Sequence, residues 1–171
     1  MAAGRTYTPI ATTTLSSAQS SVTFSSISGS YTDLVLIASN IVPSTGMDVT
    51  MYVNGDTGTN YSTTDLSGDG TTARSGRVNT QSKAYVADYW VGIGGTNPSM
   101  FIVNLNNYSN ATTYKTFLSR AAIQGASSTG ETNANVSLWR STSAITSITL
   151  QTSTGTMGYG STFTLYGIAA A

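Results

Sequence analysis

The chain contains no histidine and no cysteine, only three prolines, and charged side chains at just 8% of its positions. Without histidine it lacks the side chain that most often moves protons near neutral pH. Without cysteine it has neither a thiolate nucleophile nor a disulfide. Stability must then come from sheet packing, an oligomer or a bound ion. The missing cysteine fits a reducing cytosol, and equally a particle assembled there and released later. Ordinary soluble domains carry roughly 25% charged residues. Here seven Lys and Arg balance seven Asp and Glu. A neutral chain with no basic stripe has no general attraction for nucleic acid. Weak colloidal repulsion makes such a surface better suited to an assembly than to a crowded monomer. Long hydrophobic runs are absent too. Leu34-Val35-Leu36-Ile37-Ala38 is the longest clear one, far short of the roughly 20 residues a membrane helix needs. The opening Met1-Ala2-Ala3-Gly4-Arg5 has no apolar run behind it, so no secretion signal and no membrane insertion are expected.

Serine and threonine are abundant, at 55 of the 171 positions. Threonine favours extended backbone, and its neutral hydroxyl tolerates water on the outer face of a sheet. Disorder is the rival reading of so polar a chain. Four Phe, two Trp and ten Tyr, set inside periodic segments, argue against it.

The segments are short and β-like. Val22 and Phe24 share a face. Leu34 to Ser39 is apolar on both faces, which predicts a central strand or one against a neighbouring subunit. Met47, Val49, Met51 and Val53 point one way, with Asp48, Thr50 and Tyr52 opposite. Asn54-Gly55 signals a type I′ hairpin turn. Residues 54–77 read as a long polar loop with a brief strand near Tyr61 to Leu66. Strands are predicted over Val86 to Ile93, Met100 to Leu105, Tyr114 to Ile123 and Asn135 to Trp139, with 124–133 a polar loop. Phe117 and Ser119 share one face, Leu118, Arg120 and Ala122 the other. Ile148 with Leu150, and Phe163 with Leu165, mark the last two strands. Eight to ten strands and no persuasive helix predict an all-β antiparallel β-sandwich, two sheets about 10 Å apart. A jelly roll fits the strand count; an immunoglobulin-like sandwich or a barrel remains open. Residues 1–14 read as an extended N-terminal arm, with Pro9 blocking a ladder bond, and 15–171 as the sandwich domain.

Candidate chemistry is sparse. Asp56, Asp65 and Asp69 lie among Asn54, Asn60 and several glycines, so a calcium site deserves a test. Asn54-Gly55-Asp56-Thr57-Gly58 lacks the later Glu of a calcium loop, and ordinary turns explain it better. Asp65 and Asp69 make a poor glycosidase pair, having no evident cleft between them. Glu131 is the only glutamate. Seryl chemistry needs a base, and neither Lys83 nor Lys115 sits in a Ser-x-x-Lys arrangement. No catalytic residue, metal ligand or cofactor is assigned, and no small-molecule ligand is named. Tyr85, Tyr89 and Trp90 suit either sugar stacking or core packing, and packing is favoured. Arg74, Arg77 and Lys83 read as solvated charge. Arg120 and Arg140 sit at apolar strands, where a guanidinium can bridge a neighbour. Acceptor sequences for N-glycosylation at Asn60, Asn107, Asn110 and Asn135 arise easily by chance in so Ser/Thr-rich a chain.

Certain segments carry a family likeness: Tyr7-Thr8-Pro9-Ile10-Ala11-Thr12-Thr13-Thr14-Leu15, Val22-Thr23-Phe24, Tyr31-Thr32-Asp33-Leu34-Val35-Leu36, the stretch from Asn54 to Ser62, Asn107-Tyr108-Ser109-Asn110 and Ser137-Leu138-Trp139-Arg140-Ser141. The closing Gly160-Ser161-Thr162-Phe163-Thr164-Leu165-Tyr166-Gly167-Ile168 is the most specific of them. The chain resembles small virion structural proteins of tailed phages, common among marine and cyanobacterial phages. That resemblance implies a non-enzymatic β-sandwich on the outer surface of a capsid or tail, often trimeric. It implies a capsid decoration (cement) protein bound to the major capsid protein or another virion protein, or else a tail or head fibre binding a host-surface glycan. A glycan site would draw on loops 54–82 and 124–133, with Tyr61 and Tyr85 as candidate aromatics. Interface candidates are Tyr7, Pro9, Ile10, Arg120, Trp139 and Arg140, the first three as a strand added to a neighbour.

Overall fold

The computed structural model describes residues 6–87, 93–94, 97–124 and 130–169. Its strands are β1 (Tyr7–Thr14), β2 (Ser21–Phe24), β3 (Asp33–Ile41), β4 (Val49–Val53), β5 (Tyr61–Gly68), β6 (Ala73–Gln81), β7 (Ala84–Ala87), β8 (Ser99–Asn106), β9 (Lys115–Gln124), β10 (Gly130–Trp139), β11 (Ile148–Thr152) and β12 (Thr162–Ile168). The protein is all-β, with no helix among the described residues, and its two antiparallel sheets form a sandwich. The larger sheet runs β1-β12-β3-β8-β9-β10-β5-β6; the smaller runs β2-β11-β4-β7.

The chain crosses between the sheets at β1 to β2, β2 to β3, β3 to β4, β4 to β5, β6 to β7, β7 to β8, β10 to β11 and β11 to β12. Two hairpins interrupt this alternation. β5–β6 leaves between β4 and β7, and β9–β10 leaves between β8 and β11. Both join the larger sheet on the β8 side and lengthen it by four strands.

Side-chain alternation places the core between the sheets. Leu34, Leu36 and Ala38 of β3, Phe101, Val103 and Leu105 of β8, and Phe163 and Leu165 of β12 are fully buried from one side. Val49, Met51 and Val53 of β4 with Ile148 and Leu150 of β11 meet them from the other. β3 is an interior strand whose outward Val35 is also buried, as its two-faced apolar pattern predicts. The outward threonines of β1 and β12 pair across the strands, Thr12 with Thr164 at 3.2 Å and Thr14 with Thr162 at 3.0 Å.

Several expectations need correcting. Residues 54–77 are mostly the β5–β6 hairpin and not a loop, and 130–133 belong to β10. The Asn54-Gly55 turn forms as predicted: φ is 53° and 69° at its centre, and the Asp56 N–H donates to the Val53 carbonyl at 2.9 Å. It closes no hairpin, because β4 and β5 belong to different sheets. Residues 7–14 form β1, paired with β12 of the same chain. The strand predicted from Val86 through Tyr89 and Trp90 falls partly outside the described residues. Among the described residues no helix is long and apolar enough to cross a membrane.

Candidate functional site

The three aspartates of the expected acidic loop stand in three different settings. Asp56 sits in the turn after β4, and its carboxylate takes three donors. The Trp139 indole N–H lies at 2.7 Å, the Asn60 amide at 2.9 Å and the Gly58 N–H at 2.8 Å. Burial works to raise its pKa, but the Trp139, Asn60 and Gly58 hydrogen bonds outweigh that and hold it below the usual carboxylate value. Asp69 caps the β5–β6 turn, accepting the Thr71 and Thr72 N–H groups at 2.8 and 2.6 Å and Arg74 at 3.0 Å. The Thr72 and Thr71 bonds, with Arg74 beside them, keep its carboxyl low as well. Asp65 points inward from β5, where it accepts the Asn133 amide. Among the described residues no group of three or more acidic side chains could hold a metal. Asp56 and Asp69 thus serve turns, and Asp65 faces the interior.

The inner face of β5 and β10 is polar for a structural reason. β7 is the edge of the smaller sheet, and the extension of the larger sheet packs over it. The Tyr85 N–H donates to Thr63 Oγ1 at 3.2 Å, and the Tyr85 carbonyl accepts from Asn135 and Ser137 at 3.3 Å each. Thr63 and Ser137 are themselves joined at 2.7 Å. Side chains of one sheet thus satisfy the backbone N–H and carbonyl of Tyr85 at the open edge of the other, which would otherwise be orphaned.

This arrangement reverses the polarity of the extension. With Thr63, Asp65, Asn133, Asn135 and Ser137 inside, alternation turns the apolar members of the same strands outward. Leu66 is 60% exposed, Val136 54%, Leu118 44% and Met100 40%. No other aliphatic side chain of this size is exposed among the described residues. Leu118, Val136 and Leu66 are neighbours: Leu118 stands between Asn104 and Val136, and Ala134 between Arg120 and Leu66, while Met100 lies further along the same face, opposite Ala122.

The sequence-predicted interface residues divide. Tyr7 and Pro9 are exposed on β1, the edge of the larger sheet; Tyr7 packs edge-on against Tyr166, and a bulge follows Pro9 that takes up the half-buried Ile10. Arg120 is exposed at the centre of the apolar face. Arg140 is half-buried just after β10, where its N–H donates to the Asn60 carbonyl at 2.9 Å. Trp139 is not the exposed side chain expected: it is 2% exposed, stacked on Tyr61 and bonded to Asp56, so it locks β10 to the β4–β5 turn and leaves almost none of its own surface for a contact. Tyr61 is likewise no glycan platform. It is fully buried, its hydroxyl bridges the Val53 N–H and the Asp56 carbonyl, and burial pushes its phenol well above the ordinary value. Tyr85 is half-buried beside a cavity of about 180 Å³ that is also lined by Thr50, Gln81, Ser82, Lys83 and Ser153. Tyr89 and Trp90 lie outside the described residues. Leu66, Met100 and Val136 were not singled out from the sequence, because alternation alone does not tell which face turns in.

No protein-family model matches the chain, and no curated protein does. Among solved structures it is similar to a double mutant of an alginate lyase in complex with an alginate tetrasaccharide. The identity is 7%, covering 82% of this chain and 72% of that one, with a TM-score of 0.29. A likeness of that strength carries no argument about fold or function.

Proposed function

We propose that the protein is a non-enzymatic structural subunit of a virion, a decoration protein that attaches to a capsid through the outward face of its larger sheet. We read its core connectivity as a jelly roll. The four-strand sets β1-β12-β3-β8 and β2-β11-β4-β7, with the chain alternating between them, support that reading, and the two inserted hairpins form an added wing. The observation that carries the function is the wing's reversed polarity. Leu66, Met100, Leu118 and Val136 are exposed on one face whose charges, on its described strands, are Arg120 and Arg77, as expected of a face covered in an assembly. A decoration protein works by buried area multiplied over many equivalent copies, which needs no histidine or thiol. The phage-virion likeness of the sequence agrees with this.

The test is co-sedimentation of purified protein with particles that lack it. Saturable binding at a fixed number of copies per particle is expected; absence of binding would reject the role. A fibre that binds a host glycan is the second reading, favoured by the Tyr85 cavity with its amide, hydroxyl and ammonium lining. Selective signal on a glycan array, lost in Tyr85→Ala, would move the assignment to that reading.

A further inference from the structure

The outward surface of β8, β9, β10, β5 and β6 carries charge of one sign only. Arg120 projects from its middle and Arg77 from its β6 margin, opposite Thr64. The other described outward positions of these strands are apolar, hydroxyl, amide or glycine. No carboxylate of β5 or β10 reaches that side, since Asp65 and Glu131 are turned inward and buried.

A second copy of the chain is a poor match for this face. A two-fold contact centred on Arg120 would bring it near its own symmetry mate, with Asp65 and Glu131 turned away from that side. Of the described surface aspartates, Asp69 is already paired with a cation, Arg74. Asp33 is bonded to the Asn107 N–H, Asp56 to Trp139 and Asn60, and Asp69 to Arg74, while Asp48 is engaged as well. Five strands spaced about 4.8 Å apart give the apolar centre a width of about 19 Å. A specific interface needs about 800 Å² per partner. A stable contact therefore includes the hydroxyl and arginine margin along with the aliphatic centre, in the usual pattern of apolar core and polar rim.

We propose that this face receives a different protein whose docking surface presents carboxylates around an apolar or aromatic centre. Arg120 and Arg77 donate to the carboxylates, and Leu118, Val136, Leu66 and Met100 cover the centre. This rests on the adhesive role proposed above and adds the chemistry of the partner. Arginine suits the task because its planar fork pairs with a carboxylate in two parallel bonds.

The experiment uses the full chain as wild type, as Arg77→Glu with Arg120→Glu, and as Leu118→Thr with Val136→Thr. Threonine keeps the strand preference at exposed positions, and melting curves confirm folding. If the threonine pair fails to fold, the arginine pair decides alone. The probes are an immobilised glutamate–tyrosine copolymer, its lysine–tyrosine counterpart as control, and particles lacking the protein. We expect wild type to be retained on the acidic copolymer only, with retention falling as salt rises, and both double variants to be retained at least tenfold less. The same variants should load onto particles at least tenfold less. Expected copolymer behaviour with no particle binding by wild type would overturn the virion role and leave the acidic partner standing. Equal behaviour of wild type and variants, or no retention of wild type on the acidic copolymer, would overturn the proposal. So would a dimer in sedimentation that the threonine pair dissolves, since a second copy would then cover the face.

Discussion

Asp56 and Trp139 show how single side chains hold the two sheets in register. The indole N–H and the carboxylate lie 2.7 Å apart, and hydrogen bonds to charged groups contribute about 1.5–3 kcal/mol. Trp139→Phe keeps an aromatic ring over Tyr61 but removes the donor, and should lower stability by about 2 kcal/mol in chemical denaturation. Asp56 also sets an acid limb. Its folded-state pKa is depressed, so its contribution is complete above the unfolded value near pH 3.9 and is lost as pH falls through the folded value. Asp56→Asn should flatten that part of the melting curve against pH. Lys115 works in the opposite direction. It is 2% exposed, donates to the Thr113 and Thr142 carbonyls at 2.7 and 3.2 Å, and burial lowers its pKa. Between the folded pKa and the unfolded value near 10.4, the unfolded chain holds the extra proton, so stability rises with pH. Lys115→Met should abolish that alkaline rise. These roles are hard to read from sequence, because Trp139 at a strand end looks the same whether it faces a partner or an internal carboxylate 83 positions away.

At the scale of the element, alternation was legible and its hand often was not. In β4 the apolar set Val49, Met51 and Val53 is the buried one, as pattern predicts, because the opposite set is polar. In β10 the pattern is as regular, yet Asn133, Asn135 and Ser137 turn inward and Val136 outward. For Asn135 and Ser137 the inward partner is the Tyr85 carbonyl on the open edge of β7, and for Asn133 it is Asp65 of β5, contacts that only tertiary structure reveals. The Asn54-Gly55 turn was legible from local backbone preference, whereas the destination of the strand after it was not. The closing β12 motif has a packing reason at Gly167, where any Cβ would overlap the Tyr31 ring. Gly167→Ala should cost about 1–3 kcal/mol, read as a lower melting midpoint with the same fold by circular dichroism. β1 supplies a partner for β12 along its length, with seven residue pairs divided by the bulge at Ile10. Deleting residues 1–14 should expose β12 as a new edge, giving concentration-dependent aggregation that light scattering detects.

For the whole molecule, composition and mechanism fit one account. A chain with 8% charge and 55 hydroxyl residues builds a sandwich from short strands, uses polar side chains to close the edge between its sheets, and is left with an aliphatic surface on its wing. Folding alone leaves that surface unexplained, and the proposed attachment to a virion would cover it. The class of fold was readable from periodicity and the lack of helical pattern. The wing was not, because it depends on two hairpins far apart in sequence meeting as β10 and β5. The most direct check is electron microscopy of particles carrying the protein, at a resolution that orients the sandwich. The account predicts density for each copy on the outer particle surface with Leu118, Val136 and Arg120 against a neighbouring protein of different sequence. Copies attached with that wing open to solvent, or particles with no such density, would contradict it.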